Sequence, residues 1–440
     1  MKTVHPLKEI IKLQKSGVYK GICSICSANR YVIKAAMKSA LEKNEFVLIE
    51  ATANQVNQYG GYTGMTPPDF RDFVMSVAKE EGFPEDKVIL GGDHLGPLVW
   101  KAENTAEAMD KASELIRQYI SAGFTKIHLD TSMKLGDDSA ALPLDPFIAA
   151  ERGAMLCLTA ETAFARLQEN YPAAMHPVYV IGSEVPVPGG VQEDEGLKVT
   201  EAGDFARTIE LFKRAFAGAG LLEAWENVIA VVVQPGVEFG DSMIHDYDRH
   251  AAKQLCAALE LYPKLIFEGH STDYQKRSAL KHMVEDGIAI LKVGPGLTFA
   301  LREGLFLLNH MEDELLGNRT DIKLSNFIGT LEEAMLKVPS NWNRYYHGTE
   351  EEKKLARKYS LSDRCRYYLA VPEVEKSIQL LLDNLQSIDL NMSVISQYFP
   401  NQYRKIREGR LKKDAEALLT DRVIDLIEDY NYAISQQSCQ

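Results

Sequence analysis

Several features that fix a protein's class at a glance are scarce or missing in this sequence. Six cysteines in 440 residues are too few for a disulfide framework and point to a reducing cytoplasm. Positive charge is not in excess: 49 Lys and Arg face 62 Asp and Glu, for a formal net charge of -13. A nucleic-acid surface is therefore not expected, although a local basic pocket for a phosphate is compatible with that balance. No apolar run is long enough to span a bilayer, and residues 1–17 mix charges with single apolar residues. Neither a membrane span nor a signal peptide is expected. A Gly-x-Gly-x-x-Gly fingerprint after the first strand is missing, as is a Walker loop, which argues against a dinucleotide-binding sheet and a P-loop kinase. There is no repeat, low-complexity tract or flexible linker. Cys23-Ser24-Ile25-Cys26 has redox spacing but falls in or beside a strand-like run, where small buried side chains are the expectation.

What is present is a regular alternation. Short segments rich in Val, Ile and Leu predict strands at 18–22, 46–50, 88–91, 126–130, 178–184, 228–234, 265–268 and 288–293. Continuous apolar runs of that length suit parallel strands covered on both faces. Amphipathic stretches lie between them, such as 106–121, with Ala108, Ala112, Leu115, Ile116 and Tyr119 on one face. A short helix is predicted before them, at 7–14. Eight strands alternating with helices over roughly 300 residues imply a (β/α)8 TIM barrel, an α/β fold. From about Asn309 the chain turns charged and helical. The expected organisation is a barrel over 1–308 and a helical extension over 309–440 packed on it.

Barrels of this kind place their chemistry at the C-terminal strand ends. The stretch Gly91-Gly92-Asp93-His94-Leu95-Gly96-Pro97 ends the third strand with a carboxylate beside an imidazole. Further polar residues close the other strands, so His94, His270, Glu184 and Asp130 are candidate metal ligands. That mixture of imidazole and carboxylate suits a divalent metal: zinc, manganese, nickel or cobalt. For any one of them the competing expectation is a plain internal hydrogen bond. His128 shares a strand face with Asp130 but lies deeper, where a core histidine and a ligand are equally expected. Asp93 and Glu268 are candidate proton carriers, with Asp93 alternatively orienting an imidazole. Asn54, Gln55, Gln234, Asp273, Lys292 and Gly294 are candidate substrate-binding residues. Three glycine-rich loops, 59–64, 186–190 and 294–298, are either anion or polyol cradles or simple turns, and the last opens a helix carrying Arg302. Arg364, Arg366 and Arg404 in the tail are within reach of the same face or form surface pairs.

At these residues the chain resembles a known family. Asn54-Gln55-Val56-Asn57-Gln58-Tyr59-Gly60-Gly61-Tyr62-Thr63-Gly64, Gly91 to Pro97, Val233-Gln234-Pro235-Gly236-Val237-Glu238-Phe239, His270-Ser271-Thr272-Asp273-Tyr274 and Leu291-Lys292-Val293-Gly294-Pro295 are similar to the GatZ/KbaZ family. These are large subunits of D-tagatose-1,6-bisphosphate aldolase. The resemblance runs from the first strand into the tail, including Ser396-Gln397-Tyr398. It implies a barrel similar to metal-dependent class II aldolases.

The resemblance implies more than one activity. Bacterial members support a separate, smaller aldolase subunit that carries catalysis. Some members are labelled tagatose-6-phosphate kinases, and some thermophilic relatives are ketohexose 4-epimerases. Aldol cleavage and 4-epimerisation share a physical core, because fructose and tagatose differ at C4, the carbon joined to C3 in the aldol step. The expectation is metal-dependent aldol-type chemistry on a ketohexose or its (bis)phosphate, in a cytoplasmic oligomer. The alternative is a non-catalytic helper that stabilises the smaller aldolase subunit.

Overall fold

The computed structural model describes residues 4–182, 197–435 and 437–438. Eight parallel strands close into a barrel: β1 (Ile22–Ile25), β2 (Val47–Thr52), β3 (Val88–Leu95), β4 (Lys126–Leu129), β5 (Val178–Ile181), β6 (Val228–Val233), β7 (Ile266–Gly269) and β8 (Ile288–Val293). Each pairs with its neighbour in sequence, and β8 returns to β1 to close the ring. The main helices before, between and just after them are α1 (Pro6–Lys15), α2 (Arg30–Lys43), α3 (Pro67–Glu80), α4 (Thr105–Ser121), α5 (Pro146–Asn170), α6 (Ala202–Gly218), α7 (Lys253–Ala258), α8 (Arg277–Glu285) and α9 (Pro295–Leu316). The fold is a (β/α)8 barrel. No helix among the described residues is long and apolar enough to cross a membrane.

The first and third strands depart most from the expectation, and the fifth, expected over 178–184, ends at Ile181, with 183 and 184 outside the described residues. The first was expected at 18–22 but the barrel strand is Ile22–Ile25, while Val18–Tyr19 pairs antiparallel with Gln437–Ser438 outside the barrel. Cys23 and Ser24 interrupt the apolar run, yet both are buried, because Ser24 Oγ donates to Glu50 Oε1 at 2.6 Å. The third strand does not stop at Gly91 but runs through Asp93 and His94 to Leu95.

After α9 the chain adds α10 (Phe327–Lys337), α11 (Glu350–Tyr359), α12 (Pro372–Gln386), α13 (Met392–Tyr398), α14 (Pro400–Arg407) and α15 (Ala415–Ile434). α9 is continuous across 308 and 309. α15 comes back to the barrel and packs against α2, α8 and α9. α15 also lies against the first strand, β1.

The barrel interior has an apolar floor and a polar upper part. Ile22, Leu48, Ile89, Val178, Ala230, Ile266 and Ile290 form one cluster with Leu7, Ile10 and Ile11 of α1, which seals the end where the strands begin. Strand side chains alternate between faces. The next inward positions are therefore Ser24, Glu50, Gly91, Glu268 and Lys292 on five of these strands and the apolar Val180 and Val232 on the other two, and Lys126 of β4 joins the polar layer beside Gly91. Gly91 is the small member of this layer. A Cβ there would lie 2.6 Å from Glu50 Cγ, so the missing side chain is what leaves room for the Glu50 carboxylate. Gly91→Ala should destabilise the fold by about 1–3 kcal/mol through overpacking, read as a lower denaturant midpoint with an unchanged slope. An unchanged midpoint would show that Glu50 can move aside.

Candidate active site

The lowest polar layer is a buried charge ladder. Lys126, with 0% of its surface exposed, places Nζ 2.7 and 2.8 Å from the two Glu50 oxygens and 2.7 Å from Glu268 Oε2. Lys292 Nζ reaches Glu50 Oε2 at 3.4 Å and Glu268 Oε1 at 3.7 Å, and pairs more closely with Asp93 Oδ1. Burial opposes the charge of both lysines, but the surrounding carboxylates hold their pKa values above the ordinary range. Burial equally opposes ionised Glu268 and Asp93. Lys126 and Lys292 hold Glu268, and His94 and Lys292 hold Asp93, well below the usual carboxylate range.

Above the ladder sit three imidazoles. The ring centroids of His94, His128 and His270 are 5.1, 4.8 and 5.2 Å apart pairwise. Each ring has one nitrogen against a carboxylate. His94 Nδ1 is 2.9 Å from Asp130 Oδ2, His128 Nδ1 is 3.2 Å from Asp93 Oδ1, and His270 Nε2 is 3.0 Å from Glu268 Oε1. His94 reaches this position through a bulge. Its φ is 46°, and the β3–β4 register shifts between Gly92 and Leu95. Regular alternation would send Asp93 and His94 to opposite faces; the bulge brings both toward the barrel mouth.

The pairs at His94 and His270 have the form usual around metal ions, where the carboxylate fixes the ring and its tautomer and the other nitrogen binds, while His128 Nδ1 also accepts the His94 amide at 3.2 Å. A ligand atom from each of Asp93, His128, Glu268 and His270 lies within 4.8 Å of the others. His128 Nε2 is buried with no hydrogen-bond partner among the described residues, an orphan that a metal would satisfy. Four buried carboxylates, Glu50, Asp93, Asp130 and Glu268, face two buried ammoniums, Lys126 and Lys292. The carboxylates outnumber the ammoniums; burial lowers the His94 pKa, but Asp93 and Asp130 beside it raise it on balance, and a divalent cation on this ring would take the place of that proton. His270 is suited to be neutral: burial lowers its pKa to about 3.

A cavity of about 100 Å3 opens over this cluster. Asp93, His94, His270 and Lys292 form its floor, and Asn54, Gln55, Asp273 and Gly294 line its walls with Tyr62, Arg366 and Tyr367. Most of the residues expected from the sequence thus meet. Asp130 stands behind His94, spending Oδ1 on the Ser132 amide and hydroxyl at 3.1 and 2.7 Å. Glu268 is fully buried beneath the cavity. Gln234 turns to its own loop, where Oε1 accepts from the Gly236 and Val237 amides at 2.9 and 3.0 Å. Glu184 and the loop 186–190 lie outside the described residues. Of the tail arginines, Arg366 joins the cavity, Arg364 lies over the Tyr345 ring at 3.3 Å, and Arg404 bonds Pro400 O and Asn401 on its own helix. Arg302 is stacked on Phe299 at 4.2 Å. Lys126 carried no sequence signal, since a lysine opening a strand is usually solvated.

This is a (β/α)8 barrel whose strand ends carry a buried histidine–carboxylate–lysine centre under a polar cavity. The model of the D-tagatose-1,6-bisphosphate aldolase subunit GatZ/KbaZ-like family matches residues 7–435, and the chain belongs to that family. It is 47% identical over 433 residues to the D-tagatose-1,6-bisphosphate aldolase subunit GatZ of Klebsiella pneumoniae, covering 98% of this chain and 100% of that protein. The subunit of the same name from Salmonella typhimurium is 47% identical over 427 residues, covering 97% and 98%. Among solved structures, a probable tagatose 6 phosphate kinase from Sinorhizobium meliloti aligns with a TM-score of 0.85 at 42% identity, covering 94% of this chain and all of that one.

The ladder makes a definite demand on stability. Lys126→Met removes the partner of two carboxylates that stay buried, and should cost about 3–5 kcal/mol by chemical denaturation. A loss below about 1 kcal/mol would mean that Glu50 and Glu268 do not depend on it.

Proposed function

We propose that this chain catalyses metal-dependent cleavage and re-formation of the C3–C4 bond of a ketohexose, inverting C4 when the aldehyde turns over before the bond re-forms. The observation that carries this reading is the set of three imidazoles, each with one nitrogen on a carboxylate, beside an ammonium and a free cavity. His94 and His128 through Nε2, and His270 through Nδ1, are the residues that would hold a divalent ion. Such an ion would polarise the ketone and its neighbouring hydroxyl.

The chain's own groups supply the rest. Asp93 lines the cavity; burial opposes its charge, but the cationic groups around it, the Lys292 ammonium among them, hold it ionised. It accepts the C4 hydroxyl proton as the C3–C4 bond breaks, which leaves an aldehyde at C4. The bonding pair moves through C3 to the C2 oxygen, where the Lys292 ammonium offsets the developing charge. Bond formation on the other face of the aldehyde returns the proton from Asp93 to the C4 oxygen. Asn54 and Gln55, which line the cavity, would bind hydroxyls, and Glu268 and Asp130 would orient His270 and His94.

Three results test this. The purified chain supplied with Mn, Ni or Zn should convert fructose to tagatose, and chelator should abolish the conversion. His128→Ala should lose bound metal by elemental analysis, as should His94→Ala and His270→Ala; full metal content in His128→Ala would return that residue to the core. Asp93→Asn should lower turnover roughly a hundredfold or more with metal retained. The relatives' names add a second reading, because they are called subunits. If tagatose-1,6-bisphosphate cleavage appears only on adding a smaller aldolase subunit, and His94→Ala leaves it intact, the chain is a helper and the proposed catalysis is wrong.

A further inference from the structure

We propose that Asp273 is a built-in anion that occupies the phosphate seat of this barrel, so that the cavity takes an unphosphorylated ketohexose and excludes its phosphate esters at the eighth-strand wall. The choice of sugar rests on the function proposed above; the occupied seat does not.

Barrels commonly bind phosphate where the loop after the last strand meets the N-terminus of the next helix, using backbone amides. Here that place is the Gly294-Pro295-Gly296 turn, which opens α9. Its two amides are already taken. Gly294 N and Gly296 N donate to the same oxygen, Asp273 Oδ1, at 3.0 and 2.7 Å. Pro295 has no amide hydrogen to offer.

Asp273 is held in this position. It is 3% exposed and lines the cavity. The loop that carries it is pinned on both sides, as Thr272 Oγ1 donates to Lys292 O at 2.6 Å and Tyr430 Oη donates to Thr272 O at 2.8 Å. Ser271 and Tyr274 adopt φ of 53° and 63°, left-handed conformations that non-glycine residues keep only when their surroundings enforce them. Burial pushes the Asp273 carboxyl up to about 6, which still leaves it an anion at neutral pH. A phosphate dianion brought to these amides would meet a fixed negative charge in a site of low dielectric.

The other groups that an ester could use are also engaged. Amides of the loop at 59–64 bond to Asn57 Oδ1, from Tyr59 at 2.9 Å and Gly61 at 3.2 Å. Lys292 is paired with Asp93. Arg366 spends Nη1 on the Ser362 and Asp363 carbonyls and Nη2 on Tyr367. Among the described residues, the cavity presents hydroxyl-binding groups in place of a vacant anion cradle.

The test is a calorimetric titration of the full chain with inorganic phosphate, for the wild type, Asp273→Ala and Asp273→Ser. The serine variant keeps an acceptor for the two amides and removes the charge, so it guards against a folding failure in the alanine variant. The wild type should show no saturable phosphate binding, and either variant, folded by circular dichroism, should bind phosphate at least about tenfold more tightly than the wild type, since removing the carboxylate removes a like-charge juxtaposition. In parallel, the kcat/KM ratio of fructose 1-phosphate or 6-phosphate to fructose should rise at least tenfold in the variants. Phosphate binding as tight in the wild type as in the variants, or folded variants that gain none, would overturn the proposal and leave Asp273 a cap of α9. If no variant turns over any sugar, the catalytic reading fails while the titration still decides the seat.

Discussion

Everything at the mouth of this barrel stands on one buried ammonium. Lys126 has no exposed surface and bridges Glu50 and Glu268, residues from strands on different sides of the ring. Taking three charges out of water costs several kcal/mol per ion before any attraction is counted, so such a ladder is a poor device for stability alone. Its return is positional. Glu50 is held for Ser24 and Lys292, Glu268 is held for His270, and Lys292 is aimed at Asp93. Removing any rung leaves another charge uncompensated, which ties the geometry of the histidines to the integrity of the layer beneath them.

That layer needs two further constraints. The floor must exclude water, and α1 does this by placing Leu7, Ile10 and Ile11 under the ring. The third strand must deliver two consecutive side chains to one side. A regular strand cannot do so, and the bulge at Asp93 and His94, with His94 at a φ of 46°, is the local strain that makes it possible. The tail takes part as well. Its last helix, α15, lies against α2, α8 and α9 and sends Tyr430 to the loop that carries Asp273, while Arg366 and Tyr367 form part of the cavity wall. The site is therefore a product of the whole chain.

The family likeness and the geometry answer different questions. The relatives carry names of an aldolase subunit and of a probable sugar-phosphate kinase, and those names differ on whether such a chain acts alone and on what. The side chains assembled here are imidazoles, carboxylates and ammoniums under a polar cavity, with Asp273 on the Gly294 and Gly296 amides and Asp93 on Lys292. At the turn that opens α9, the Gly294 and Gly296 amides are already bonded to Asp273.

The sequence by itself determined the alternation of strands and helices, because a strand buried on both faces has to be an unbroken apolar run and eight such runs were visible. It also pointed to part of the rim: a polar residue just after such a run has nowhere to go but the barrel mouth, as Asp93, His94 and His270 illustrate. It could not place side chains in depth. Alternation puts His128 and Asp130 on one face, but only the tertiary structure decides that His128 joins the imidazoles while Asp130 stands behind His94. It also left hidden what depends on distant partners. Lys126 reads as an ordinary lysine until Glu50 and Glu268 close around it, Gln234 as a rim donor until its own loop claims it, and Gly294 and Gly296 as an open cradle until Asp273 arrives from the neighbouring strand end. Periodicity is a local property of the chain, whereas the pairing of buried charges is settled only when strands far apart in sequence meet.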